Sequence, residues 1–223
     1  MGRMDYKPLS IALTGNLPSS LFFRTVEMTE YTIFPEHAHA WGELIYSLEG
    51  TVEIHLEGGR IVMPPYYSLW LPPGCRHQFL SHYNTMHSVL CINEEFCVEL
   101  PDYAQALQIT PFMRDALHHL CEGQTFTMEE ELSGILQLLL LQLKKAPSLG
   151  ITLTLPSTSD PILNKVLQAL EKEPGANLSL KGIAKSVNMT ERTLARRAKL
   201  ELGMCLVEWR SRLRAVKAIA MIK

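Results

Sequence analysis

The sequence predicts an α+β fold: an N-terminal β-barrel, mainly antiparallel, followed by helices and a C-terminal all-α helix-turn-helix module. Three observations carry that expectation. Residues 21–100 have the texture of short strands broken by Gly and Pro, and from Thr110 the apolar residues shift to helical spacing. The charge also divides along the chain: residues 161–223 hold 13 Lys/Arg against 5 Asp/Glu, a net of +8, whereas residues 1–160 hold 8 against 18, a net of −10. The overall charge of −2 hides this division, and the basic part is the one suited to a polyanion.

Taken in order, residues 1–20 read as an irregular lead-in. The best strand candidates are Tyr31–Phe34, Glu43–Leu48, Val52–Leu56, Ser68–Leu71 and Met86–Ile92, from their β-branched and aromatic content and their period-two alternation. Many short strands separated by such turns imply a sandwich or small barrel. Pro111–Cys121 and Met128–Lys145 have helical periodicity, the second with a face of Leu132, Leu136, Leu139, Leu140 and Leu143. That face suits packing against the barrel or a seam between two protomers. Pro147–Ser159 is rich in Pro, Gly, Ser and Thr and reads as a linker. A helix over Pro161–Glu173 follows, with Asp160 as its cap and Pro161 at its first position.

The last fifty residues spell a helix, a turn and a basic helix. In Ser179–Val187, Leu180, Ile183, Ala184 and Val187 share one face, and Ser179 is placed to cap the first amides. Asn188-Met189-Thr190 breaks the helix. Glu191–Leu202 then buries Leu194, Ala198 and Leu202 and presents Arg192, Arg196, Arg197 and Lys199 outward, as a helix entering a DNA major groove requires.

This segment, from Leu178 to Lys223, resembles the first DNA-binding repeat of the AraC-type transcription regulators. The resemblance rests on Leu178–Ala184, on Met189–Arg196, on Leu202-Gly203-Met204, and on Leu206, Trp209, Arg210, Leu213, Arg214 and Ala218 of the linker helix. It implies a sequence-specific DNA-binding regulator. By carry-over, Arg192, Ala195 and Arg196 approach base edges, while Thr193 and Arg197 serve the flanks or phosphates; Lys199 completes the expected DNA-binding set. The sequence departs from the family pattern in three places. Ala198 stands where a large aromatic is usual, Cys205 stands where Ser or Thr caps the linker helix, and the chain stops inside that helix at Ile222-Lys223, so the second reading head is expected to be missing.

A second motif lies in the barrel half: His37-x-His39-x3-Glu43-x6-Gly50, then Pro72-Pro73-Gly74-Cys75-Arg76-His77. It resembles the paired motifs of the cupin barrels. If the segment stays extended, residues 37, 39 and 43 project to one face, and a turn at Pro73-Gly74 brings His77 beside them. Three imidazoles and a carboxylate can hold a divalent transition metal such as Zn, Ni, Mn, Fe or Cu. In sensor domains resembling this one the same groups commonly bind a small-molecule effector without metal. The effector-binding candidates are therefore His37, His39, Trp41, Glu43, Tyr46, Trp70 and His77.

The resemblance thus divides the chain into a cupin-like effector-binding and dimerisation domain (1–146), a linker (147–160) and an incomplete helix-turn-helix domain (161–223). The expected partners are double-stranded DNA, a small-molecule effector and a second copy of the chain in a homodimer. Two alternatives stay open, a metal-dependent cupin enzyme and a dimerisation module with little DNA binding. Against an enzyme, His55, His82, His87, His118 and His119 are scattered, with surface or capping roles as their default. Glu94-Glu95 and Glu129-Glu130-Glu131 read as solvated charge at helix starts. No Gly-rich phosphate loop or nucleophile elbow occurs. Five cysteines without a C-x-x-C pair suit reduced thiols. With no secretory signal and no apolar run near the length of a membrane span, Leu138–Leu141 within Ile135–Leu143 included, a cytoplasmic protein without membrane contact is expected.

Overall fold

The computed structural model describes residues 7–9, 15–57, 59–81, 83–122, 129–149, 154–158, 160–176 and 178–221. Most of the expected lead-in, together with His82, Met128, Ser159, Ile222 and Lys223, lies outside them. The chain forms two compact units, and each is described by itself. The first comprises residues 1–56 and 63–151, the second residues 57–62 and 152–223.

The first unit is built on two sheets, and the α+β class with antiparallel-rich sheets holds. One sheet runs β10 (Gln105–Leu107), β7 (Ser68–Leu71), β4 (Trp41–Glu49), β9 (Thr85–Asn93), β2 (Leu21–Met28), all antiparallel. The other places β8 (His77–Ser81) between β3 (Thr32–His37) and β5 (Val52–Leu56), with β1 (Lys7–Pro8) parallel to β3. Strand β3 begins at Thr32 and not at Tyr31, because Tyr31 takes a left-handed turn at φ 55°. Strands β2 and β8 were not among the sequence candidates: polar Arg24, Thr25 and Glu27 break the alternation of β2, and β8 is short.

Alternation along β4 decides what each residue meets. Glu43, Ile45 and Ser47 face the interior shared with β8, whereas Leu44, Tyr46 and Leu48 face a second core under the helices. That core includes Trp70, Leu90 and Ile92, α1 (Pro111–Cys121) through Met113 and Leu117, and α2 (Glu129–Leu143) through Leu136, Leu139, Leu140 and Leu143. Trp70 lies so close to β4 that a Cβ at Gly42 would sit 2.1 Å from its ring, so only glycine fits there. The leucine face of α2 is thus spent on intradomain packing and cannot also be a seam between protomers. Only Leu138 and Leu141 of its leucines stay exposed.

The second unit is helical apart from one strand pair. Thr154–Pro156, which composition places in a linker, forms β11 antiparallel to β6 (Gly59–Met63), and Arg60 beside it forms an ion pair with Glu171. The local cause is Leu155, which is fully buried in the helical core. The units part at Ile151/Thr152, inside the segment 147–160 read as a linker, and the helical unit also takes in Glu57–Val62, which the sequence reading assigned to the barrel. Helix α3 (Pro161–Lys172) starts on Asp160, whose Oδ1 accepts from the amides of Ile162 and Leu163 at 3.0 and 2.8 Å. The remaining helices are α4 (Leu180–Ser186), α5 (Glu191–Leu202) and α6 (Leu206–Met221). Leu163, Val166, Leu170, Ile183, Leu194, Ala198, Leu202, Leu213 and the fully buried Trp209 form their common core.

Candidate functional site

The segment joining β3 to β4 does not stay extended. It leaves one sheet at His37, bends over residues 38–40 and enters the other sheet at Trp41. The site is therefore assembled from both sheets. A turn with Gly74 at φ 75°, whose amide donates to His39 O at 2.8 Å, returns the chain so that His77 pairs with His37 across β8 and β3.

The three imidazoles are oriented the same way. His37 Nδ1 donates to Pro35 O at 2.8 Å, His39 Nδ1 to Trp41 O at 2.7 Å and His77 Nδ1 to Cys75 O at 2.9 Å. A carbonyl can only accept, so the proton is on Nδ1 in each ring and the Nε2 lone pair is left for something else. One ring nitrogen from each histidine lies within 4.8 Å of the other two.

Glu43 is fully buried beside them. Its Oε1 accepts from Trp41 Nε1 at 3.2 Å and from the Cys91 thiol at 3.7 Å, and lies 3.2 Å from His39 Nε2 and 3.6 Å from the Arg24 guanidinium. Its Oε2 lies 3.8 Å from His77 Nε2. Burial alone would push this carboxyl up, but the His39 imidazole beside it once protonated at Nε2, with His77 and Arg24, holds it at about 2. Burial pulls His77 down to about 4 against the opposing pull of Glu43, and it lowers His37 as well. Burial also pushes the Cys91 thiol well up, so it stays protonated and can donate.

His39 Nε2, His77 Nε2 and Glu43 Oε2 are buried with no hydrogen-bond partner. Orphaned buried polar atoms are costly, and a divalent cation among them would satisfy all three at once. On that test the residues present fit a metal, and imidazole with carboxylate does not select among Zn, Ni, Mn, Fe and Cu.

Of the effector candidates, the structure brings His37, His39, Trp41, Glu43 and His77 together. Trp41 stacks on His39 with centroids 4.3 Å apart and planes 1° apart. Tyr46 and Trp70 are not pocket walls. Tyr46 is three residues from Glu43 and so has the opposite parity, and Trp70 pairs with Leu44 on that same outer face, its Nε1 donating to Pro101 O at 2.7 Å. His87 corrects the expectation in the other direction. It is a buried interior group, stacked on Phe79, and not a surface or capping histidine. Arg24, Cys91 and His87 are the interior polar groups that the sequence reading missed. The available signal was a lone arginine centred in Leu21–Met28, legible once that segment is seen to be a strand.

In the helical unit, Ser179 Oγ accepts from Gly182 N at 3.1 Å and Thr190 Oγ1 from Thr193 N at 3.2 Å, so each helix of the pair is capped. Gly203 at φ 70° ends α5. Arg192, Thr193 and Arg196 are exposed and Ala195 half-buried, on one face of α5. Two predicted DNA contacts are otherwise employed. Arg197 is half-buried and pairs with Asp160 at 3.3 Å, and Lys199 Nζ donates to Gly203 O at 2.9 Å at the far end of its own helix. Arg210 and Arg214 are also spent inside the fold, donating to the carbonyls of Leu178, Pro174 and Ala176. Four of the thirteen Lys/Arg of residues 161–223 are thus tied to the unit's own fold.

Cys205 occupies the cap position of α6, its Sγ accepting from Glu208 N at 3.4 Å. Sulfur is a weak acceptor, so Cys205→Ser should stabilise the unit by about 0.5–1 kcal/mol, read as a higher urea midpoint. An unchanged or lower midpoint would show that the cap contributes nothing there.

Barrel and helices together define a class: a cupin barrel joined in one chain to a helix-turn-helix unit. Residues 24–93 match the cupin domain family. Over 194 residues the chain is 29% identical to the HTH-type transcriptional regulator NimR of Escherichia coli (strain K12), covering 86% of this chain and 69% of that protein. Over 56 residues it is 34% identical to the uncharacterized HTH-type transcriptional regulator YobQ of Bacillus subtilis (strain 168), covering 25% of this chain and 23% of that one. Among solved structures, the polyketide cyclase RemF from Streptomyces resistomycificus is 24% identical with a TM-score of 0.31, covering 32% of this chain and 53% of RemF. Among the described residues, no helix is long and apolar enough to cross a membrane.

Proposed function

We propose that this chain is a cytoplasmic transcriptional regulator of the AraC type that reads double-stranded DNA with α5 and senses a small-molecule effector in its barrel. The observation that carries the reading is the contrast along α5. Arg197 and Lys199 are tied into the fold, while Arg192 and Arg196, one helical turn apart, are exposed and make no ion pair among the described residues. Arginines held out on a capped helix can each give two parallel hydrogen bonds to a guanine edge. The similarity to NimR over most of the chain supports the same reading. Where a divalent metal is bound, His37, His39, Glu43 and His77 would hold it and it would supply a Lewis-acidic point for the effector. An effector alters DNA binding only through unequal affinity for two arrangements of the protein, and a homodimer would double the half-sites read.

Fluorescence anisotropy against duplex DNA from upstream of the chain's own gene, with a scrambled duplex and a salt series, tests the DNA arm. The expected result is a preference for the upstream duplex that weakens with salt, with Arg196→Ala costing about 1–3 kcal/mol and relaxing sequence preference. No preference at any salt would refute the reading.

A further inference from the structure

Arg24 is a half-buried charged group of the barrel with a donor left unpartnered. It sits on β2 opposite Val89 of β9, and its side chain, 18% exposed, projects inward to Glu43. Its Nε is buried without a partner. A guanidinium carries five N–H donors, and its ion-pair partner among the described residues is Glu43 Oε1 at 3.6 Å. That oxygen already accepts from Trp41 and the Cys91 thiol and lies beside His39. Another unpartnered nitrogen, His87 Nδ1, is buried on the inward row of β9 that also carries Cys91. Around Arg24 the guanidinium N–H groups outnumber the acceptors in reach, since the unpartnered oxygen of Glu43, Oε2, lies on the His77 side. A partly buried guanidinium with unsatisfied N–H groups gains from a further acceptor.

We propose that the barrel receives a small carboxylate-bearing ligand, with Arg24 as the residue that holds the carboxylate. The inference rests on the reading of the barrel as an effector pocket and adds the chemical class of the effector. The planar fork of a guanidinium matches a carboxylate with two parallel N–H···O bonds, and such charge-assisted pairs are about twice as strong as neutral ones. A neutral hydroxyl presents one uncharged oxygen and cannot match both arms of the fork. The carboxylate supplies acceptors alone. Arg24 thereby selects among ligands, while the histidine cluster is common to all of them.

The test follows the emission of Trp41, which stacks on His39 and donates to Glu43 and so reports on the site. The full-length chain, both zinc-loaded and treated with chelator, is titrated with benzoate and with benzamide, a planar pair of similar shape that differ in charge. Trp41→Phe identifies the part of the signal that comes from this site. The expected result is that benzoate binds roughly tenfold or more tightly than benzamide. Arg24→Gln should lose that advantage, and Arg24→Lys, which keeps the charge and loses the fork, should keep only part of it. Melting curves of both variants establish that they fold, and Arg24→Lys carries the test if Arg24→Gln does not. Equal binding of the two probes, or a benzoate preference that survives Arg24→Gln, overturns the proposal and leaves the effector pocket standing. If neither probe moves the signal, the carboxylate class falls. A zinc titration that still shifts Trp41 emission then preserves the pocket reading, and a silent one removes both.

Discussion

Trp209→Ala is expected to unfold the helical unit at denaturant concentrations where the wild-type chain is intact. Trp209 has no exposed surface, lies in the core formed by α3, α4 and α5, and donates its indole N–H to Pro156 O at 3.0 Å. Truncating a buried tryptophan costs about 3–5 kcal/mol, a large share of the roughly 5–15 kcal/mol that holds a typical domain together. The loss of the indole donor also leaves the carbonyl next to Leu155 unsatisfied, so β11 should loosen with the helices. Urea unfolding followed by far-UV circular dichroism would show the helical signal lost early. A midpoint within about 1 kcal/mol of wild type would mean that the Trp209 site is not the keystone of this core.

The second large effect is loss of stability in mild acid. His87 and His77 are both held near 4 by burial, against an ordinary value of 6.5, and Arg24 depresses His87 further. Between these values the unfolded chain binds protons that the folded chain refuses, so stability is complete above about pH 6.5 and falls as the pH drops toward 4. At pH 5 His87 alone contributes a loss of about 2 kcal/mol, and His77 acts in the same direction. Glu43, held at about 2 when folded, extends the loss as the pH falls below 4.5. Urea unfolding at pH 7.5 and pH 5, in chelator so that only protons compete for the imidazoles, should therefore show markedly lower stability in acid. His87→Leu should remove about 2 kcal/mol of that difference. Stability that did not change between the two pH values would mean that His87 is already protonated in the folded barrel.

Much of this architecture was legible because periodicity is a local signal. Helices Pro111–Cys121 and Glu191–Leu202 were bounded correctly, since proline, threonine and glycine mark their ends in the sequence. Grouping His37, His39, Glu43 and His77 depended on motif spacing, yet the physical route is different from an extended segment, because the chain changes sheets at residues 38–40. What could not be read were matters of facing. Trp70 and Tyr46 looked like pocket aromatics by type, but only the register of β4 against β7 shows that they point to the helices. Arg197 looked like a phosphate contact until Asp160, 37 residues earlier, was found beside it. Such long-range pairings leave no local trace in composition.

The strand Gly59–Met63 has a consequence for how the molecule is wired. Because Glu57–Val62 belongs to the helical unit, the polypeptide crosses between the two units three times, after Leu56, after Val62 and after Ile151. The helical unit is therefore discontinuous in sequence. A gene fragment beginning at Thr152 would encode β11 without the strand it pairs with and Glu171 without Arg60. Moving the helical unit into another protein would mean carrying over the strand Gly59–Met63 as well.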